Sequence, residues 1–209
     1  ITSTVTNVSS GCSASVGQVF TQQVTIPGNS SIVVNRFQGN TGTGNPNCTF
    51  YTMKAESNQP IVMTVNENRE YLGATVKAVY AGFNASAATD TLFFPLSKEY
   101  FNGQTSGLSV VNAGSTATKI TGTFTCDSGT HVIQTTSNVA AGAAVSFFNL
   151  SGSSSGFTAV SGGMPPAGVK CSAVMTSGGG QPLVGLAQES DRDASNGVLD
   201  ITNYEGFNQ

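Results

Sequence analysis

Tryptophan is absent from this 209-residue chain, histidine occurs once, and Asp, Glu, Lys and Arg together make up only 9% of it. Each shortage argues against a class of function. With eight basic residues and a net charge of −3 there is no basic patch to meet phosphates, so nucleic acid is not an expected partner. An ordinary nucleophile–base–acid arrangement hangs on His131 alone, for which a hydrogen-bonded structural histidine is the plainer reading. Four of the eleven acids cluster in one stretch, 188–200, with no sign of flanking a cleft as glycosidase carboxylates must. The expectation is therefore no enzyme, no catalytic residue and no cofactor. No CxxC pair occurs and the cysteines are far apart, which argues against a zinc site. No apolar run approaches the roughly 18 residues of a membrane span.

What the chain does have is a repeat. "AVYAGFN" at 78–84 returns as "ITNYEGFN" at 201–208, "QPIVMTVNENR" at 59–69 as "QPLVGLAQESDR" at 181–192, and "CTFYTMKAESN" from Cys48 as "CSAVMTSGGG" from Cys171. Upstream, 19–39 lies over 132–152 and Cys12 over Cys126. Shared words in one order mean two copies of one domain, expected at 1–86 and 87–209. Each copy is long enough for one core.

Period-two alternation recurs in "QVTI", "SIVV", "PIVMTV", "ATVKAVY", "TKITGTFT", "AAVSFF" and "VLDIT", punctuated by turns such as "PGNS" and "SGGG". The expected class is all-β, as two tandem β-sandwich domains of immunoglobulin-like or jelly-roll-like kind. Cysteines at matching places imply one disulfide in each copy, Cys12–Cys48 and Cys126–Cys171, and hence an extracellular compartment. A chain that begins at Ile1 reads as a mature chain without its leader, or as a trimmed one. The Ser/Gly-rich stretch 151–168 lengthens the second copy as a surface loop.

The copies are unequal at their ends. "TLFFPL" at 91–96 either adds a strand to the first copy or opens the second. In the former case the second copy has a vacant place, and the donor is "ITSTVTNV" at 1–8 of a neighbouring molecule. Ile1, Ser3, Val5 and Asn7 then share the inserted face. Such head-to-tail contacts build a helical homopolymer when they do not close. The plainer alternative makes 1–8 a strand of its own domain.

Two surface features remain. Glu189, Asp191, Asp193 and Asn196 are hard oxygen donors at close spacing, a weak candidate for Ca²⁺ beside the reading of a charged hairpin tip. Asn7, Asn29, Asn47, Asn84 and Asn149 stand in Asn-x-Ser/Thr sequons, which permit surface glycans without predicting them.

The words "FFPLSKEYFNGQTSGLSVVNAGS" (93–115), "QPLVGLAQE" and "YEGF" resemble secreted tandem β-domain proteins of prokaryotic cell surfaces, most of all two-domain extracellular filament subunits with donor-strand assembly. The resemblance runs through both copies from about Cys12 and carries no catalytic residues. It implies a structural subunit of a cell-surface filament whose partners are identical subunits. The first copy departs from the pattern by lacking the opening strands. The alternative function is a carbohydrate-binding or adhesive module of a larger secreted protein, against which the lack of Trp and the five Tyr weigh.

Overall fold

The computed structural model describes residues 1–7, 19–33, 51–71, 74–148, 156–192 and 198–208. Among them the chain is all-β, with two short 3₁₀ turns and no α-helix. The strands are β1 (Thr2–Asn7), β2 (Val19–Gln23), β3 (Tyr51–Glu56), β4 (Thr64–Tyr71), β5 (Ala74–Ala81), β6 (Thr91–Glu99), β7 (Gln104–Asn112), β8 (Ile120–Cys126), β9 (Gly129–Thr135), β10 (Ala144–Phe148), β11 (Phe157–Ser161), β12 (Val169–Ser177), β13 (Leu183–Arg192), β14 (Val198–Glu205) and β15 (Phe207–Asn208). No helix among the described residues is long and apolar enough to cross a membrane. Two compact units divide the chain, one of residues 1–61 with 142–144, the other of 62–141 with 145–209. The expected boundary at 86/87 marks sequence copies; the unit boundary at 61/62 marks where contacts thin out.

The first unit holds a sheet in the order β2-β1-β3, antiparallel throughout. Thr4 stands opposite Thr21 on one side and Lys54 on the other. The ladder continues to the first residue, whose ammonium donates to the Val24 carbonyl at 2.7 Å while its carbonyl accepts from Val24 N–H at 2.9 Å.

In the second unit one sheet runs β10-β7-β13-β14 and another β11-β9-β8-β12-β6-β15, with β4 and β5 forming a separate hairpin. Alternate residues of these strands turn inward, as the period-two pattern requires. Leu92, Phe94, Leu108, Ile120, Phe124, Ile133, Phe147, Met175 and Leu183 are fully buried. The Phe124 and Phe147 rings lie 4.6 Å apart, and Phe157 meets Phe147 edge-on at 5.7 Å. In β6 the buried positions are Leu92 and Phe94, then Ser97 and Glu99. The phase slips because pairing with β12 jumps from Ser97–Cys171 to Phe94–Ala173. Pro95, which has no N–H for the ladder, sits in that bulge. Cys126 and Cys171 are direct partners across β8 and β12, with Cα atoms 3.9 Å apart, and are joined by a disulfide. Cys12 and Cys48 lie outside the described residues.

The repeat is visible in backbone pairing. Val65 faces Tyr80 in the β4–β5 hairpin as Ala187 faces Tyr204 in β13–β14. The glycine of each Tyr-x-Gly-Phe-Asn ending closes its hairpin, Gly82 N–H to Met63 O and Gly206 N–H to Gly185 O, both at 2.8 Å. That close approach explains why the ending is spelled twice. A β-carbon on Gly206 would come within 2.8 Å of the buried Phe94 ring. On Gly82 it would meet only the Met63 side chain.

Two stability outcomes are expected in urea titrations. Gly206→Ala costs about 1–3 kcal/mol because Phe94 has nowhere to move, whereas Gly82→Ala costs less because a methionine re-packs. Removing the Cys126–Cys171 bond, which spans 45 residues, costs about 4 kcal/mol on chain-entropy grounds.

Candidate functional site

The expected donor residues lie at a strand's centre of gravity in the first sheet. Ser3, Val5 and Asn7 are in β1, paired to Gln22, Phe20 and, on the β3 side, Ala55, Met53 and Tyr51. Order and direction in β2-β1-β3 repeat those of β9-β8-β12 in the second unit. Thr2 faces Gln23 as Thr121 faces Gln134. β1 is thus the counterpart of β8, and the chain says so in "ITSTVT" (1–6) against "ITGTFT" (120–125). Anchoring the repeat on Cys12 and Cys126 hides this match, because in the first copy the cysteine stands five residues beyond β1 and in the second it ends β8.

The segment 91–96 belongs to β6 and pairs with β12 in the second unit. It opens the second copy, and the place it fills there is filled from within the chain. On the other edge of β6, among the described residues, only Phe207 and Asn208 pair, opposite Phe93 and Leu92. Side chains serve the rest of that edge: Tyr204 donates its hydroxyl to the Leu96 carbonyl, and Lys98 N–H donates to Ser106 Oγ at 2.9 Å.

A half-buried polar cluster closes this end of the second unit. Lys98 Nζ donates to Glu189 Oε2 at 2.9 Å and to Gln104 Oε1 at 2.6 Å. Burial first, and the Glu189 carboxylate second, push the Tyr204 phenol well above its ordinary value of 10. The same pair recurs in the first copy, where burial and Glu67 raise Tyr80. Glu67 Oε2 in turn accepts from Gln188 Nε2 at 2.7 Å, and Ala78 packs on Ile201.

Of the calcium candidates, Glu189 and Asp191 line a shallow cleft with Gln104, Asp200 and Thr202. Glu189 is already engaged by Lys98, and Asp193 and Asn196 lie outside the described residues. Among the described residues no group of three or more His, Cys, Asp or Glu side chains is placed to hold a metal.

His131 is 8% exposed. Its Nδ1–H donates to the Gly162 carbonyl at 2.8 Å, which leaves Nε2 to accept from Ser128 Oγ at 3.1 Å. A carbonyl occupies the place where a catalytic histidine needs a carboxylate to stabilise the imidazolium. The ring instead ties the 127–131 turn to the 162–163 turn, where Gly162, at φ 70°, leaves no room for a β-carbon against the Thr130 carbonyl.

Of the sequons, Asn29 is exposed on a turn with φ 59°. Asn84 is exposed too, and its Oδ1 accepts from Ser86 N–H at 3.1 Å as a 3₁₀ N-cap. Asn7 lies within β1; Asn47 and Asn149 are outside the described residues.

No family model matches the chain, and no curated protein matches it. A crystal structure of Thermotoga maritima 1070 is similar over 58% of this chain and 96% of its own, at 18% identity and a TM-score of 0.41. A likeness of that size carries no argument about function.

Tyr204→Phe tests the cluster. The variant loses about 1 kcal/mol with the hydroxyl's hydrogen bond. Because the folded phenol titrates above the unfolded one, its contribution is complete below pH 10 and is lost as pH rises past 10. Stability measured against pH therefore falls less steeply above pH 10 in the variant than in the parent.

Proposed function

We propose that the protein is a non-catalytic structural subunit of an extracellular, cell-surface filament, built as tandem β-sandwich domains and polymerising head to tail by N-terminal strand donation. The observation that carries the reading is the place of β1. β1 occupies the middle of its sheet through main-chain bonds on both edges. Those bonds are the same whichever molecule supplies the strand, so exchange between subunits conserves them. Each subunit then gives its β1 and receives another's. An exchange of this type that does not close propagates as a helical homopolymer.

Three further features support the reading. The Cys126–Cys171 disulfide suits an oxidising exterior. Low charge weakens the repulsion that keeps soluble domains apart. Exposed valines, with Val33 at 86% and Val62 at 96%, offer apolar surface for lateral contact. Glycans, where attached at Asn29 or Asn84, would sit on the exterior.

The test uses the register. Thr4 and Lys54 are direct partners across β1 and β3, so Thr4→Cys with Lys54→Cys places two thiols within bridging distance. Oxidised under assembly conditions and run without reductant, the variant is expected to give a ladder of covalent multimers. Monomers carrying only the internal bridge would defeat strand donation.

A further inference from the structure

The repeated Tyr-x-Gly-Phe-Asn puts an asparagine after each hairpin, and the two asparagines are used differently. Asn208 turns to the chain, its Oδ1 accepting from Thr89 N–H at 3.2 Å. Asn84 opens the connection from β5 to β6, where Asn84, Ala85, Ser86 and Ala87 are all exposed. It is also the first residue of an Asn-x-Ser sequon, Asn84-Ala85-Ser86. Hydrogen bonds sort the two atoms of its amide. Ser86 N–H can only donate, so the atom 3.1 Å from it is Oδ1, and Ser86 Oγ donates to the same oxygen at 2.8 Å. Nδ2 makes no hydrogen bond among the described residues. The oxygen holds the 3₁₀ turn 85–87, the hydroxyl two residues on is drawn alongside the amide, and the nitrogen is left to solvent.

The other described sequons lack this combination. Asn7 sits within β1, opposite Tyr51 of β3. Asn29 is exposed, but at φ 59° it lies inside a turn closed by Ser30 N–H to the Pro27 carbonyl at 3.2 Å. Among the described residues no hydrogen bond joins Asn29 to the hydroxyl of its sequon, Ser31.

We propose that Asn84 is an N-glycosylation site, modified on Nδ2 by an oligosaccharide carried on a lipid diphosphate. In the transfer the bond from Nδ2 to the sugar C1 forms and the bond from C1 to the diphosphate oxygen breaks. The proton lost from Nδ2 leaves with the diphosphate. Oδ1 takes no part in the new bond, so both hydrogen bonds from Ser86 survive the modification. The sugar then covers the segment that joins the two sequence copies, which otherwise presents the small side chains of Ala85 and Ala87 to water. The inference rests on the extracellular reading for the meeting with the sugar donor; the choice of Asn84 follows from the geometry alone.

The test is mass spectrometry on the protein recovered from the cells that make it, reduced and cut with trypsin. Residues 78–98 form one peptide, bounded by Lys77 and Lys98, in which Asn84 heads the only sequon; Asn7 and Asn29 fall together in 1–36. A sugar mass is expected on 78–98, placed on Asn84 by fragmentation. It should be lost completely in Ser86→Ala, a change that keeps Asn84 and the main-chain N–H at position 86. An unmodified 78–98 peptide in protein from outside the cell, with or without sugar on 1–36, would overturn the proposal and leave the filament reading standing. A sugar mass that survives Ser86→Ala would overturn it equally. Protein found only inside the cell would remove the extracellular reading, and the site with it.

Discussion

An antiparallel strand has two edges of N–H and C=O groups, and everything distinctive in this protein follows from which edges are filled. Where both are filled, as for β8 and β12, the strand is central and its inward residues are fully buried. Where one is not, something must blunt it or occupy it. The second unit manages its margins within the chain. Tyr204 and Ser106 serve main-chain groups of β6 that β15 is too short to reach. In the first unit, among the described residues, β3 pairs with β1 on one edge, carries the exposed Lys54–Glu56 pair and donates from Thr52 Oγ1 to the Gly142 carbonyl.

Much of this was legible in the residues. Period-two alternation predicts strands because side chains on a strand turn alternately in and out; β5, β8, β10 and β14 form where it recurs, whereas at 24–26 and 31–33, where it also recurs, no strand forms. The Cys126–Cys171 pairing is readable because both copies place cysteines alike. The repeated Tyr-x-Gly-Phe-Asn is legible as a repeat, but its cause is not: that a β-carbon on Gly206 would come within 2.8 Å of the Phe94 ring depends on a residue more than a hundred positions away. Separation in sequence also hides the contact of His131 with Gly162, 31 residues apart, and that of Lys98 with Glu189, 91 apart.

The place of residues 1–7 shows how an anchor misleads. Cysteines are conspicuous, and aligning the copies on them makes the terminal strand look surplus. The quieter "ITSTVT" and "ITGTFT" place it as the counterpart of β8, a strand its own sheet requires. The segment 91–96 is ambiguous from sequence because a strand between two copies serves either equally well. Only pairing assigns it, and it pairs with β12 in the second unit. The acidic stretch offers a similar lesson: spacing groups Glu189 with Asp191, but Lys98, from another sheet, already neutralises the first.

A chain with low charge, an oxidised cysteine pair and a first strand held on both edges is suited to exchanging that strand with its neighbours. Amide hydrogen exchange on the isolated protein tests this most directly. The account expects the amides of β1 and of its partners β2 and β3 to exchange faster than those of β8 and β12, because a strand that can be donated must leave its sheet. Equal protection of β1 and β8 would contradict it, since a strand that never leaves its sheet cannot be given to another molecule.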